Sequence, residues 1–114
     1  MAVAMFLRVP VPARTYRRLL EILEWDASPP AGGILHVAAE AEDGLEICEV
    51  WRTRATAEGF LRDRLTPILE ELGATEPVEH AILPLHNLFA ADLETIERIG
   101  TVSLPGLRAG AIIR

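Results

Sequence analysis

The stretch Gly33-Ile-Leu-His-Val-Ala-Ala-Glu-Ala-Glu-Asp-Gly-Leu-Glu-Ile-Cys-Glu-Val-Trp51 decides the fold. Residues 34–41 read as one strand and residues 45–51 as the next, with Glu42-Asp43-Gly44 between them. The Asp-Gly pair is a hairpin signal, because glycine tolerates positive φ. Taking Asp43 and Gly44 as the two turn residues sets a register in which His36 opposes Trp51 and Ala38 opposes Glu49. Parity then puts Ile47, Glu49 and Trp51 on one face, shared with Ile34, His36 and Ala38. A turn of another length would shift this pairing.

Outward from the hairpin, the pattern alternates between strand and helix. Residues 2–9 are a short, mostly apolar run stopped by Pro10 and Pro12, which reads as a buried strand. Over residues 13–25, Tyr16, Leu19, Leu20 and Leu23 recur at helical spacing while Arg14, Arg17, Arg18 and Glu21 fall elsewhere. Residues 26–33 carry two Pro and two Gly and read as a loop. Past the hairpin, Thr53 stands as an N-cap for a helix running to Leu72 and ending at Gly73. Its apolar set is Phe60, Leu61, Leu65, Ile68, Leu69 and Leu72. Pro67 falls inside it, and the missing N–H predicts a kink or a restart. Residues 78–85 form a fourth strand, with Pro84 pointing to a sheet edge or a bulge. Residues 92–99 fit a short helix with Leu93, Ile96 and Ile99 inward.

The order β-α-β-β-α-β is the ferredoxin-like split βαβ of the α+β class, a four-stranded antiparallel sheet with both helices on one face. Strand one is apolar on both sides, through Met5, Leu7 and Val9 and through Ala4 and Phe6. A sheet apolar on both faces but covered on one must bury the other, and face-to-face packing in a homodimer is the simplest solution. Residues 1–89 make the domain. Residues 90–114, with Val102, Leu104, Leu107, Ile112 and Ile113, are expected to pack on that domain or on the partner.

The 114 residues carry 17 acidic side chains against 11 basic ones, a net charge of −6, and all 11 cations are arginines. Lysine-based chemistry is therefore excluded. The acidic balance argues against nucleic-acid binding, which needs a basic surface. Cys48 is the only cysteine, so no intrachain disulfide forms and a cytoplasmic setting is expected. No run has the length of a membrane span, and no signal peptide is read at the N-terminus.

The segments 33–38, 42–44, Glu49-Val-Trp51-Arg-Thr53, Phe60, Arg64-Leu-Thr-Pro67 and His86-Asn-Leu-Phe89 together resemble the dimeric α+β-barrel superfamily, and within it the small antibiotic-biosynthesis-monooxygenase-like proteins. The resemblance covers about residues 2–89. It implies a homodimer with a small-molecule cavity in each protomer, between sheet and helices or within the barrel, and no single chemistry. Haem-degrading relatives use an Asn on the first strand and a His on the second helix. Residues 2–9 hold no Asn and residues 54–72 no His, so that activity is disfavoured. The cofactor-free quinone-forming oxygenases use Trp, Asn, Tyr, Arg and His groups. Trp51 matches loosely, and no match to those groups is claimed for Asn87, Tyr16 or Arg8.

His36 and Glu49 are the candidate catalytic pair, a general base with its orienting carboxylate, and Trp51 would be a stacking wall for the substrate. Equally, His36 is a hydrogen-bonded core histidine, Trp51 is packing, and Glu49 is satisfied by an arginine. His86 and Asn87 close the fourth strand, where a polar pair could face a pocket mouth and bind substrate; a turn former is the plain alternative. His36, His80, His86 and Glu49 are potential metal ligands, but no pair has the close spacing of a zinc motif, and no metal or other cofactor is expected. The function implied is a cofactor-independent oxygenase, isomerase or cyclase acting on a small apolar or aromatic metabolite. The alternative is a non-catalytic ligand-binding dimer.

Overall fold

The computed structural model describes residues 1–25 and 27–101. The elements run β1 (Val3–Val9), α1 (Ala13–Leu23), β2 (Gly33–Ala41), β3 (Gly44–Trp51), α2 (Arg54–Phe60), a π-helical turn (Leu61–Leu65), α3 (Thr66–Glu71), β4 (Glu79–Pro84) and α4 (Leu93–Ile99). The strands form one sheet in the order β2-β3-β1-β4, and every pair is antiparallel. This is the ferredoxin-like α+β arrangement the sequence order predicts.

One face of the sheet carries the core. Val3, Met5, Leu7 and Val9 of β1 and Leu45, Ile47 and Trp51 of β3 pack with Leu19 and Leu23 of α1 and with Ala57, Phe60, Leu61, Leu65 and Leu69 of the second helical segment. Cross-strand pairing orders both faces into rows. On the helix side, His36, Glu49, Met5 and Ile82 form one row across the four strands. On the other side, Leu35, Val50, Ala4 and Leu83 form one row, and Val37, Cys48, Phe6 and Ala81 the next. Phe6, Val37 and Leu83 of that outer face are 45, 51 and 54% exposed.

The hairpin register differs from the expected one. Ala41 pairs with Gly44, so Glu42 and Asp43 make the turn, and His36 opposes Glu49. Neither turn residue has positive φ, so the primed turn signalled by Asp43-Gly44 does not form. Gly44 is needed for another reason: a Cβ there would collide with the carbonyl oxygen of Val9. At the far end a bulge lies between Gly33 and Leu35, which brings Gly33 opposite Trp51. The bulge breaks the parity expected for Ile34, whose side chain is exposed.

α1 stops at Leu23, two residues short of the expected end, because Glu24 adopts left-handed geometry (φ 49°) while its N–H donates to Leu20 O at 3.0 Å. The second helical segment starts as expected at Thr53, whose hydroxyl accepts the Thr56 N–H at 3.1 Å in a capping box. The restart expected at Pro67 takes the form of the π-helical turn just before it. A wider turn there makes room for a ring that has no N–H to give. Pro84 does lie on an edge strand. Leu85 N–H turns inward to Ala2 O, so the position before it faces the open edge, where no donor is missed.

α4 is capped by Asp92, which accepts the Thr95 hydroxyl at 2.6 Å and the Thr95 N–H at 3.0 Å; these bonds hold its carboxyl below its ordinary value. Leu93 and Ile99, expected inward, are exposed instead, since α4 follows the edge strand and does not join the core cluster. The predicted packing of Val102, Leu104, Leu107, Ile112 and Ile113 lies outside the described residues. Among the described residues no helix is long and apolar enough to cross a membrane.

Candidate active site

Directly opposed residues of adjacent strands hold their Cβ atoms about 5 Å apart, so His36 and Glu49 meet without any backbone distortion. His36 Nδ1 lies 2.8 Å from Glu49 Oε2. The indole N–H of Trp51, two residues along the same face, donates to Glu49 Oε1 at 3.1 Å. Both carboxylate oxygens are thus engaged. Glu49 is only 2% exposed and Trp51 fully buried. A carboxylate this deep is tolerated only when its lone pairs are satisfied, and here the two partners do that.

The chain of hydrogen bonds continues through the ring. His36 Nε2 is 2.6 Å from the hydroxyl of Tyr16, in the first turns of α1. The two rings are parallel within 3°, with centroids 6.0 Å apart. Trp25, just past the end of α1, leans over the imidazole at 5.1 Å and 43°. Its edge meets Trp51 at 5.9 Å and Phe60 of α2 at 5.4 Å. Gly33 lets this wall close, because a Cβ there would stand 3.4 Å from Trp25 Cζ2 and 3.2 Å from the Pro30 carbonyl. Tyr16–His36–Glu49–Trp51 is therefore one continuous polar relay set in an aromatic enclosure. Tyr16, Trp25 and the His36 side chain are partly exposed, so the relay has a solvent end and a buried end.

Of the residues singled out from sequence, the structure brings together His36, Glu49 and Trp51. Trp51 has no surface left for a ligand, which corrects the stacking-wall expectation: its indole is enclosed by Trp25 and Phe60 and serves Glu49 through its N–H. His86 and Asn87 are exposed beyond the end of β4, with β3 and β1 lying between that strand and β2. They do not reach the His36 relay. His80 is also exposed, with Nδ1 3.2 Å from Val78 O. Among the described residues no three His, Cys, Asp or Glu side chains converge as a metal site would require. A surface depression bounded by Phe6, Arg8, Val37, Glu46, Cys48 and His80 lies largely on the opposite side of the sheet from the relay. Cys48 is half-buried there, and burial pushes its thiol up.

Tyr16 and Trp25 were not read as site residues from the sequence. The usable signal was position: Tyr16 opens the apolar stripe of α1, whose later members Leu19 and Leu23 face the sheet. A tyrosine in such a stripe carries a polar tip that needs a partner when covered, and His36 is the partner within reach.

No family model and no curated protein matches the chain. Solved structures do. A conserved protein from Methanosarcina mazei Go1 superposes with a TM-score of 0.56 at 16% identity, over 74% of this chain and 92% of its own. The monooxygenase from the gene ActVA-Orf6 of Streptomyces coelicolor, solved with nanaomycin D, gives 0.52 at 17% identity, covering 78% and 90%. SnoaB, a cofactor-independent oxygenase from Streptomyces nogalater, gives 0.51 at 13% identity, covering 76% and 93%. At these identities the likeness is one of architecture, and the chain shares the α+β fold of these three proteins.

Proposed function

We propose that this protein is a cofactor-independent enzyme that removes a proton from a small apolar or aromatic metabolite, with His36 as the proton-transfer group and Glu49 as the carboxylate that positions it. The observation that carries this is the buried carboxylate on His36 Nδ1. Ionised Glu49 accepts from Nδ1–H, which fixes the neutral tautomer and leaves Nε2 as the basic nitrogen. A positive charge arriving on the ring is then stabilised at short range by Glu49. Once the substrate is an anion, rearrangement or direct reaction with dioxygen needs no metal or flavin. The shared architecture with a monooxygenase and a cofactor-independent oxygenase supports this class at the level of fold. The same reading includes a homodimer closed over the outer sheet face, and a cytoplasmic setting in which the lone Cys48 stays reduced.

A non-catalytic ligand-binding dimer draws on one specific observation. Among the described residues no buried side-chain nitrogen or oxygen lacks a partner, so the network is also complete as a piece of core. A thermal-shift screen of small aromatic metabolites on the wild type and on His36→Ala separates the two. Each ligand shift is taken relative to that protein's own melting point. A ligand at about 100 times its Kd stabilises by about 2.7 kcal/mol. The enzyme reading expects aromatic ligands that shift the wild type and not the variant. Equal shifts in both proteins would place the ligand away from His36 and defeat it.

A further inference from the structure

Both nitrogens of the His36 ring are occupied, Nδ1 by Glu49 at 2.8 Å and Nε2 by the Tyr16 hydroxyl at 2.6 Å. An imidazole has no third basic atom. A base at His36 therefore reaches a ligand through the group already bonded to it. We propose that the phenolic oxygen of Tyr16 is the catalytic atom that touches the substrate, with His36 acting behind it; this rests on the proton-transfer reading above.

The step balances without any electron acceptor. As the substrate C–H bond breaks, its proton bonds to Tyr16 Oη, while the proton of the Tyr16 hydroxyl passes to His36 Nε2. The C–H electron pair stays on the substrate as an enolate. His36 becomes an imidazolium whose Nδ1–H remains on ionised Glu49. Returning a proton to carbon reverses both transfers.

The surroundings define the substrate class. Trp25 is half-buried beside His36, and Trp51 and Phe60 back it. The part of Trp25 left open favours an uncharged planar molecule. The proton ends on an imidazole, a weak base, so the substrate must be an activated carbon acid whose enolate is conjugated with an aromatic ring. A hydrogen on a carbon that lies between a carbonyl and an aromatic ring meets both conditions.

The test uses 2-tetralone, a bicyclic aromatic ketone, and follows exchange of its α-hydrogens in deuterium oxide by proton NMR. Wild type is expected to accelerate exchange. Tyr16→Phe keeps the ring and is expected to lower kcat by about 100-fold with KM nearly unchanged, the usual size of a general acid–base contribution. Tyr16 is the only tyrosine in the chain, so biosynthetic incorporation of 3-fluorotyrosine alters this one phenol without altering its shape. Its greater acidity is expected to move the pH–rate profile of kcat to lower pH, an effect that packing alone does not produce. Wild-type exchange by Tyr16→Phe, with loss in His36→Ala, would overturn the role of Tyr16 and leave that of His36 standing. An unmoved profile in the fluorotyrosine protein would do the same. No acceleration by the wild type would overturn the proton-transfer reading and this inference together.

Discussion

Glu49 is the residue on which the site turns, because a carboxyl group in a core is stable only through what it touches. Its two contacts come from different principles of placement. Trp51 is two residues along one strand, on the same face by parity, and His36 is the cross-strand neighbour. If the Trp51 N–H satisfies Oε1, the two residues must be energetically coupled. Trp51→Phe leaves that oxygen without its donor, a loss of about 1–3 kcal/mol, whereas in a Glu49→Leu background there is no carboxylate to orphan. Urea unfolding of the two single variants and the double is expected to show the Trp51→Phe cost falling by about 1 kcal/mol or more once Glu49 is gone. Any cavity left by the smaller ring appears in both backgrounds and cancels. Strictly additive costs would mean that Trp51 is packing only. The grouping of His36, Glu49 and Trp51 was legible from parity alone. What parity could not give was the inner role of Trp51, which depends on how Trp25 and Phe60 cover it. Nor could it give Tyr16, whose partner lies on another element.

At the scale of elements, the hairpin illustrates what local sequence can and cannot set. Asp43-Gly44 correctly marked a turn between two strands, and the turn formed one residue earlier, at Glu42-Asp43. The reason is tertiary: Gly44 is reserved for close approach to the Val9 carbonyl, a constraint invisible within the hairpin itself. The shift preserved the faces, since it moved the pairing by an even number, and it improved the chemistry by setting His36 directly against Glu49. The second helical segment was legible in the same partial way. Thr53 and Gly73 bound it, and Pro67 disturbs it, but the π-helical form of the disturbance depends on keeping Leu61, Leu65 and Leu69 all on the core. Its start matters to the site because α2 delivers Phe60 to the aromatic wall. Thr53→Ala removes the acceptor for the Thr56 N–H. The expected cost is about 1 kcal/mol, read as a melting point lower by about 4 °C. An unchanged melting point would mean that water replaces the cap at no cost.

The whole molecule presents an imbalance between its two sheet faces. The helix side is closed, while the outer rows, Leu35–Val50–Ala4–Leu83 and Val37–Cys48–Phe6–Ala81, are apolar across all four strands. The polar row beyond them, with the Arg8–Glu46 ion pair, marks one rim. The proposed homodimer would bury these rows face to face. Area decides whether the sheet alone suffices. Four strands about 4.8 Å apart and six residues long at about 3.3 Å each span roughly 400 Å² in projection. A stable interface buries about 800 Å² on each partner. The sheet therefore supplies about half, and further apolar surface has to join it. Among the described residues, Leu88, Phe89, Leu93 and Ile99 are exposed in the segment after β4 and are apolar surface of the kind required. Two variants follow from this estimate, both measured by sedimentation equilibrium against a wild type expected to have the mass of two chains. Phe6→Glu places a charge in the middle of the outer face and is expected to yield monomers. Removal of residues 90–114 leaves the sheet face intact but strips Leu93 and Ile99, and is expected to weaken the dimer by at least tenfold. A truncated chain that dimerises as tightly as the full one would confine the interface to the sheet and defeat the role given to the C-terminal segment. A Phe6→Glu variant that remains dimeric would remove the outer face from the interface altogether.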